Sequence, residues 1–159
     1  MGKIQTLDSL SKICEKFRDA GKIIVTTNGV FDILHPGHVR YLENAKALGD
    51  ILVVGVNSDA SVKKIKGEHR PVNSEDDRAE VLAALQCIDY VCVFPETTPE
   101  HFLEAIKPSV HVKGGDYSSK DLPESAIVEK FGGKIKFVTF VKGYSTTTTI
   151  KKIVERHKA

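Results

Sequence analysis

The chain has 159 residues, 41% of them hydrophobic and 28% charged, which is the composition of a soluble globular protein long enough to bury a core. Its 23 Lys and Arg residues against 21 Asp and Glu residues give a net charge of +2, too balanced to indicate bulk binding to nucleic acid or to a membrane surface. No apolar run reaches the roughly 18 residues that a membrane-spanning helix needs. We therefore expect neither a nucleic-acid partner nor a membrane partner.

The N-terminus and the cysteines predict the compartment. Residues 1–5 contain no apolar signal core, so we expect no export. The three cysteines, Cys14, Cys87 and Cys92, are odd in number and lack a Cys-x-x-Cys spacing, which favours reduced thiols in packing positions. No repeat or linker divides the chain. We predict a cytoplasmic protein with a single domain over residues 1–159.

Apolar runs alternate with helical patterns along the chain. The first half predicts a helix over 7–20, a strand over 22–27, a helix over 36–48, a strand over 51–56 and a charged loop over 61–73. The second half predicts a helix capped by Ser74, a strand over 90–94, a helix over 99–106, a strand over 109–113, a short helix over 125–131, a strand over 134–140 and a helix over 145–156. Strands that alternate with helices predict an α/β fold, a doubly wound Rossmann-like five-stranded parallel sheet with helices on both faces.

Two histidines, His35 and His38, lie where the first strand gives way to a helix. A helix N-terminus carries unpaired N–H groups and a partial positive charge, which favour anions. The histidine pair at that point therefore predicts a site for a phosphate chain. Two alternatives stay open: the pair could bind zinc, although the further ligands of a zinc site are missing, or it could cap and pack the helix. We predict no metal site formed by the protein itself.

Polar segments that contain glycine follow four of the predicted strands. Ligands of open parallel sheets bind beyond the carboxyl ends of the strands, so these segments are expected to meet at one edge. Glycines let backbone N–H groups approach a phosphate, and hydroxyl groups at a helix start donate to it. The segments cover residues 28–32, 57–59, 113–117 and 143–147.

A basic run leaves the second strand at this same edge. It contains Lys63, Lys64, Lys66, His69 and Arg70. Such a run is usually a solvated face, but its position here predicts a mobile basic lid over phosphate groups.

Arg78 and three aspartates are the remaining charged candidates. Arg78 lies in the first turn of its helix, where a cation opposes the dipole, so it either faces an anion or pairs at the surface with Glu75 or Asp76. Each aspartate is a candidate for Mg²⁺ or hydroxyl contacts and equally for an ordinary turn residue. These are Asp32, Asp59 and Asp116.

The motifs resemble the cytidylyltransferase-like nucleotidyltransferase family. The resemblance is carried by Gly29-Val30-Phe31-Asp32, by Leu34-His35-Pro36-Gly37-His38 and by Ser145-Thr146-Thr147. One branch of the family, the D-glycero-D-manno-heptose 1-phosphate adenylyltransferases in their stand-alone form, is resembled more closely. That similarity is carried by Val56-Asn57-Ser58-Asp59, Arg70-Pro71-Val72-Asn73, Lys113-Gly114-Gly115-Asp116-Tyr117 and Gly143-Tyr144-Ser145-Thr146-Thr147.

The resemblance implies a reaction and a set of site residues. ATP and heptose 1-phosphate would give ADP-heptose and pyrophosphate for a bacterial surface glycan of the lipopolysaccharide type, with Mg²⁺ bridging the triphosphate oxygens. His35, His38, Lys63 and Lys66 would be the catalytic residues. The residues expected to bind ATP are Val30, Phe31, Asp32, Gly37, Asn57, Asp59, Arg70, Arg78, Gly115, Asp116, Ser145, Thr146 and Thr147. Relatives commonly form dimers, which implies a homodimer.

Two alternative functions stay open. Glycerol-3-phosphate cytidylyltransferases usually carry an Arg three residues before the glycine of the closing motif. This chain has Phe140 at that position, which argues against them. The other alternative is a domain that binds a nucleotide as a sensor without turnover. The two histidines argue against it, because a sensor does not need groups that stabilise developing charge.

Overall fold

The computed structural model describes residues 2–115, 122–139 and 143–157, and within them five strands alternate with seven helices. The strands are β1 (Ile24–Gly29), β2 (Ile51–Asn57), β3 (Tyr90–Phe94), β4 (Val110–Gly114) and β5 (Lys134–Val138). The helices are α1 (Leu7–Asp19), α2 (Pro36–Lys46), α3 (Asp59–Lys66), α4 (Glu75–Ala83), α5 (Glu100–Ile106), α6 (Ser125–Lys130) and α7 (Thr146–Arg156).

All five strands are parallel and lie in the order β3-β2-β1-β4-β5. The order reverses at β1: Thr26 is opposite Val53 of β2 on one side and opposite His111 of β4 on the other. Loops leave the two sides of such a reversal in opposite directions, which opens a crevice beyond the strand ends. The predicted doubly wound fold is confirmed, and the reversal fixes where a ligand can enter.

Helices cover both faces of the sheet because the strands are apolar on both faces. On one face, α2 and α4 pack against the strands through Leu42, Ala45 and Leu82. On the other face, α1, α5 and α6 form a second buried layer. Leu10, Phe102 and Val128 are fully buried there. None of the helices in the described part of the chain is long and apolar enough to cross a membrane.

The predicted loop over residues 61–73 is wrong in its first half, because α3 extends to Lys66. Ser58 caps α3 by accepting a hydrogen bond from the N–H of Ser61, and Val62 is fully buried against the body of the protein. The lysines lie in the last turn, where the helix dipole favours cations. The density of positive charge hid the helix start at Ser58 and the helix stop at Gly67, whose φ is 95°.

The three cysteines are free thiols, as predicted. Cys14 and Cys92 are fully buried, and burial raises the pKa of each thiol to about 11. Both therefore act as packing groups within the layer formed by α1 and α5.

Candidate active site

A cleft of about 490 Å³ opens beyond the carboxyl ends of β1, β2 and β4, within the size range of small-molecule sites. From the loop after β1 it is lined by Val30, Phe31 and Asp32. Asn57, Lys66 and Arg70 also face it, and the helices contribute His38, Thr146 and Thr147. These nine predicted residues therefore meet at one cavity. Asp116 lies outside the described residues.

His35 and His38, here called the histidine pair, are stacked at the N-terminus of α2. His35 is the N-cap residue, and its Nδ1 accepts a hydrogen bond of 3.3 Å from the N–H of His38. The two rings are 3.8 Å apart and only 13° from parallel, and the Phe31 ring meets His38 edge-on at 5.5 Å. His35 therefore caps α2, which was one of the alternatives for the histidine pair, and it also holds the His38 ring at the cleft.

Burial favours the uncharged form of the histidine pair in the free protein. Burial, and then the neighbouring His35, lower the pKa of His38 to about 4. Burial also lowers the pKa of His35. The Nδ1 atom of His38 is buried without a hydrogen-bond partner among the described residues. An anion bound beside the pair would favour the protonated form, so the two rings can take up charge when a polyanion arrives.

Gly37 and α7 complete this side of the cleft. The Tyr144 ring stacks on His35 at 5.9 Å, and a Cβ atom on Gly37 would lie only 3.0 Å from the Cβ of Tyr144. Ser145 caps α7 by accepting from the N–H of Thr148 at 3.0 Å, and Thr146 donates to the carbonyl of Ile33. Gly37 and Ser145 do not line the cleft themselves; they position α2 and α7 around it.

The loop after β1 is held in an unusual conformation. Phe31 has a φ of 48°, in the left-handed region that side chains rarely adopt. Gly29 makes room for it, since a Cβ there would lie 3.1 Å from the Phe31 ring. Such strain persists only where the surrounding structure fixes it, and it is common at binding sites.

Asp32 fixes the segment that carries Arg70. Its carboxylate accepts from Arg70 Nε at 2.5 Å and from the N–H groups of Val72 and Asn73 at 2.8 and 2.9 Å. Burial alone would raise the pKa of Asp32, but these N–H groups and the Arg70 guanidinium outweigh it and hold the pKa below its ordinary value. Asp32 is therefore a buried anchor as well as a residue of the cleft.

Arg78 is buried, so the alternative of a surface pair with Glu75 or Asp76 is wrong. Its guanidinium donates to the carbonyl of Val30 at 2.6 Å, to the carbonyl of Asn73 at 3.1 Å and to Asp59 Oδ1 at 2.8 Å. It does not line the cleft, and neither does Asp59. Arg78 is tolerated against the dipole of α4 because its guanidinium links three separate segments of the chain. The sequence could not reveal these contacts, because the partners are 5, 19 and 48 residues away.

Among the lysines of α3, Lys66 lines the cleft and Lys63 does not. The side chains of Lys63 and Lys66 are both exposed. Arg70 follows at the edge of the cleft, and its peptide bond to Pro71 is cis.

The sequence analysis placed Asn28 and Lys113 at the expected ligand edge without giving either a role, and it did not name Glu124. The structure joins the three into a second polar group of the cleft, here called the Lys113 cluster (Asn28, Lys113 and Glu124). Lys113 Nζ donates to Asn28 Oδ1 at 3.0 Å and forms an ion pair of 2.5 Å with Glu124 Oε1. Asn28 and Lys113 line the cleft. Both stand at strand ends, which was the available signal. Gly115, with a φ of 122°, instead joins β4 to β5 through a bond from its N–H to the carbonyl of Val138.

The described residues include no group of three or more His, Cys, Asp or Glu side chains arranged to hold a metal ion. The carboxylate at the cleft, that of Asp32, already accepts from three protein donors. The site as described is therefore built to bind anions through N–H and O–H groups and cations.

A family model described as cytidylyltransferase-like matches residues 26–153. The chain therefore belongs to the cytidylyltransferase-like family and is a nucleotidyltransferase.

Two similar curated proteins are the bifunctional protein HldE of Geobacter metallireducens, 53% identical over 98% of this chain, and that of Aliarcobacter butzleri, 52% identical over 98%. The alignment covers 32% of each, so this chain spans about a third of the length of these relatives. A solved structure, of the lipopolysaccharide core biosynthesis protein from Thermoplasma volcanium GSS1, superposes with a TM-score of 0.64 at 32% identity. That match covers 79% of this chain and 100% of the other.

Proposed function

We propose that the chain transfers AMP from ATP to D-glycero-D-manno-heptose 1-phosphate, releasing pyrophosphate and forming ADP-heptose for a surface glycan of the lipopolysaccharide type. The observation that carries the nucleotidyl-transfer chemistry is the histidine pair, stacked at a helix N-terminus. The Nδ1 atom of His38 is buried and has no hydrogen-bond partner among the described residues, and His38 lines the same cleft as Thr146 and Thr147. The choice of heptose is supported by the branch motifs and by the relation to a lipopolysaccharide core biosynthesis protein.

In this reaction an oxygen of the sugar phosphate attacks the α-phosphorus of ATP in line. The new P–O bond forms as the bond to pyrophosphate breaks, and the pyrophosphate oxygen takes up negative charge. The nucleophile is already an anion, so no strong base is required, and catalysis reduces to positioning and charge stabilisation.

The chain's own groups supply that stabilisation. His35 and His38 hold phosphate oxygens as charge moves to the leaving group. The backbone of Val30 and Phe31 and the hydroxyl group of Thr147 bind the phosphate chain, and Thr146 joins them by turning its O–H from the carbonyl of Ile33 to a phosphate oxygen. Lys66 and Arg70 neutralise the pyrophosphate. Mg²⁺ would enter as part of the nucleotide substrate and would help to neutralise the charge of the phosphates.

In this proposal Arg78, Asp59 and Asp32 act indirectly, by positioning other parts of the site. They hold the loop after β1 and the Arg70 segment in the shape that the phosphates meet. The proposal also includes a cytoplasmic reaction on small molecules and assembly into a homodimer.

The test is a matrix of nucleotides against phosphorylated acceptors, with pyrophosphate measured. ATP and CTP are each offered with heptose 1-phosphate, mannose 1-phosphate and glycerol 3-phosphate. We expect pyrophosphate release with ATP and heptose 1-phosphate well above every other combination. Release with CTP and glycerol 3-phosphate instead would assign the chain to the cytidylyltransferases. ATP binding without pyrophosphate from any acceptor would indicate a sensor.

A further inference from the structure

The Lys113 cluster faces the cleft from the side opposite to the histidine pair. Side chains alternate along a strand, so Asn28 and Lys113 project on the face that α1, α5 and α6 cover. Glu124, the residue before α6, meets Lys113 there. The histidine pair belongs to α2, which packs on the other face.

The charge of Lys113 is already balanced. The Glu124 side chain is 9% exposed and the Lys113 side chain 21% exposed, so a nearly buried carboxylate fixes the ammonium group. Two of the three N–H donors of Lys113 point to Glu124 and Asn28. No third acceptor for Lys113 lies among the described residues, which leaves one donor for a ligand. Lys66 differs, because its side chain is exposed and forms no ion pair with a described residue.

A balanced ammonium group suits a neutral oxygen better than a phosphate. A phosphate beside Lys113 would also meet the negative charge of Glu124. A hydroxyl group accepts from the remaining N–H without that repulsion.

The cleft also contains uncharged polar groups at the strand ends. Asn57, at the end of β2, is 4% exposed and anchored by its Nδ2 to the carbonyl of Glu96. Thr97 supplies a hydroxyl group from the loop after β3. Together with Asn28 they form a row of amide and hydroxyl groups along the strand ends, able both to donate and to accept.

We propose that Lys113, positioned by Glu124 and Asn28, binds a hydroxyl group of the acceptor sugar and thereby selects polyhydroxylated acceptors. This inference rests on the proposed function for the presence of a sugar phosphate acceptor. In-line transfer supports the assignment, because the acceptor approaches the α-phosphorus from the side opposite to the leaving pyrophosphate, and the pyrophosphate is proposed to lie at the histidine pair.

The test begins with Lys113→Met, which keeps an unbranched apolar stem as far as the ε position and removes the donor. We expect KM for the acceptor to rise about 10- to 100-fold, as for the loss of a hydrogen bond to a charged group, while KM for ATP stays within about twofold. Lys113→Arg should restore part of the loss, and Glu124→Gln should raise KM for the acceptor by a smaller factor because it acts through Lys113. Lys136→Met, an exposed lysine on β5, is the matched control and should change neither constant.

Two competition measurements separate hydroxyl from phosphate recognition. Inorganic phosphate should inhibit the wild type and Lys113→Met equally against the acceptor. Among deoxy analogues of the acceptor, one should bind the wild type about as weakly as Lys113→Met does, with no further loss in the variant. A weaker inhibition by phosphate in the variant would overturn the proposal in favour of an anion site.

The remaining outcomes are equally decisive. A rise in KM for ATP alone would assign Lys113 to the nucleotide and overturn the proposal. Circular dichroism and melting temperature check each variant, and the double variant Lys113→Met/Glu124→Gln, which leaves no unpaired buried carboxylate, replaces Lys113→Met if the latter fails to fold. If the wild type prefers another phosphorylated acceptor to heptose 1-phosphate, the proposed function fails, but the same constants are measured with that acceptor. Wild-type protein that binds no polyhydroxylated phosphate by calorimetry overturns the inference.

Discussion

His38 of the histidine pair and Lys113 of the Lys113 cluster line the same cleft, but the two groups are built in opposite ways. The two histidine rings are stacked, burial favours their uncharged form, and the Nδ1 atom of His38 has no hydrogen-bond partner among the described residues. Their electrostatic response therefore depends on a bound ligand. Lys113 is charged and already balanced by a buried carboxylate. Groups that must respond to developing charge are kept unsatisfied, whereas groups that recognise a neutral surface are satisfied in advance. The comparison predicts different kinetic signatures for the two sides.

The largest effect should come from the histidine pair. His38→Ala is expected to lower kcat about 10²- to 10⁴-fold while the Kd for ATP changes far less, because the imidazole acts on charge that appears only in the transition state. Steady-state kinetics and calorimetric titration with ATP measure the two quantities. His101→Ala, which removes an exposed histidine of α5 away from the cleft, is the control. Equal losses in kcat and ATP affinity would show a ground-state role and break the comparison.

The next effect concerns a residue that supports the cleft without entering it. Arg78→Met should lower the free energy of unfolding by about 3 kcal/mol, because two carbonyl groups and Asp59 lose their donor. Urea denaturation measures it, and Arg40→Met, an exposed arginine of α2, is the matched control. A variant as stable as the wild type but inactive would mean that Arg78 acts on the substrate after all.

Lys66 and its neighbours on α3 give a sharper, smaller test. Lys66→Met should lower kcat/KM for ATP about 10- to 100-fold, because it removes a cation that lines the cleft and has no ion pair with a described residue. Lys64→Met, on the same helix but away from the cavity, should stay within about twofold. Lys63 does not line the cleft, so Lys63→Met should give a result close to that of Lys64→Met. A loss as large as that of Lys66→Met would show that α3 moves when substrate binds.

The histidines also predict a loss of stability in acid. The pKa of His38 is about 4 and that of the fully buried His111 about 3, both below the ordinary 6.5, so the unfolded chain binds more protons in between. Stability is therefore full above pH 6.5 and falls as the pH drops toward 4. The melting temperature of the free protein should decrease by several degrees between pH 7 and pH 4.5, on the scale of about 2–4 °C per kcal/mol. A flat or rising profile would contradict the uncharged state of these rings.

Much of the fold could be predicted because local sequence patterns indicate its strands and helices. The buried strands are Val- and Ile-rich runs, and Ser74 and Ser145 are N-cap residues that mark the starts of α4 and α7. α3 was missed because the charge of its lysines masked an ordinary cap at Ser58.

The site was predictable where position along a strand is enough. The rule that ligands bind at strand ends located the loop after β1 and the start of α7. It could not supply the partners of Arg78 or Asp32, since these contacts join residues that are up to 48 positions apart. The Lys113–Glu124 pair was hidden for the same reason: its members stand on different elements, and only folding brings the carboxylate under the strand end.

The most direct test of adenylyl transfer at this cleft follows the phosphorus atom. ATP labelled at the α-phosphorus is incubated with heptose 1-phosphate, and the products of the wild type and of His38→Ala are separated by mass spectrometry. We predict that the label enters ADP-heptose in equal amount to the unlabelled pyrophosphate released, and that His38→Ala slows both together. Label recovered as free AMP, or unreacted ATP from an enzyme that binds it, would contradict adenylyl transfer to the sugar phosphate.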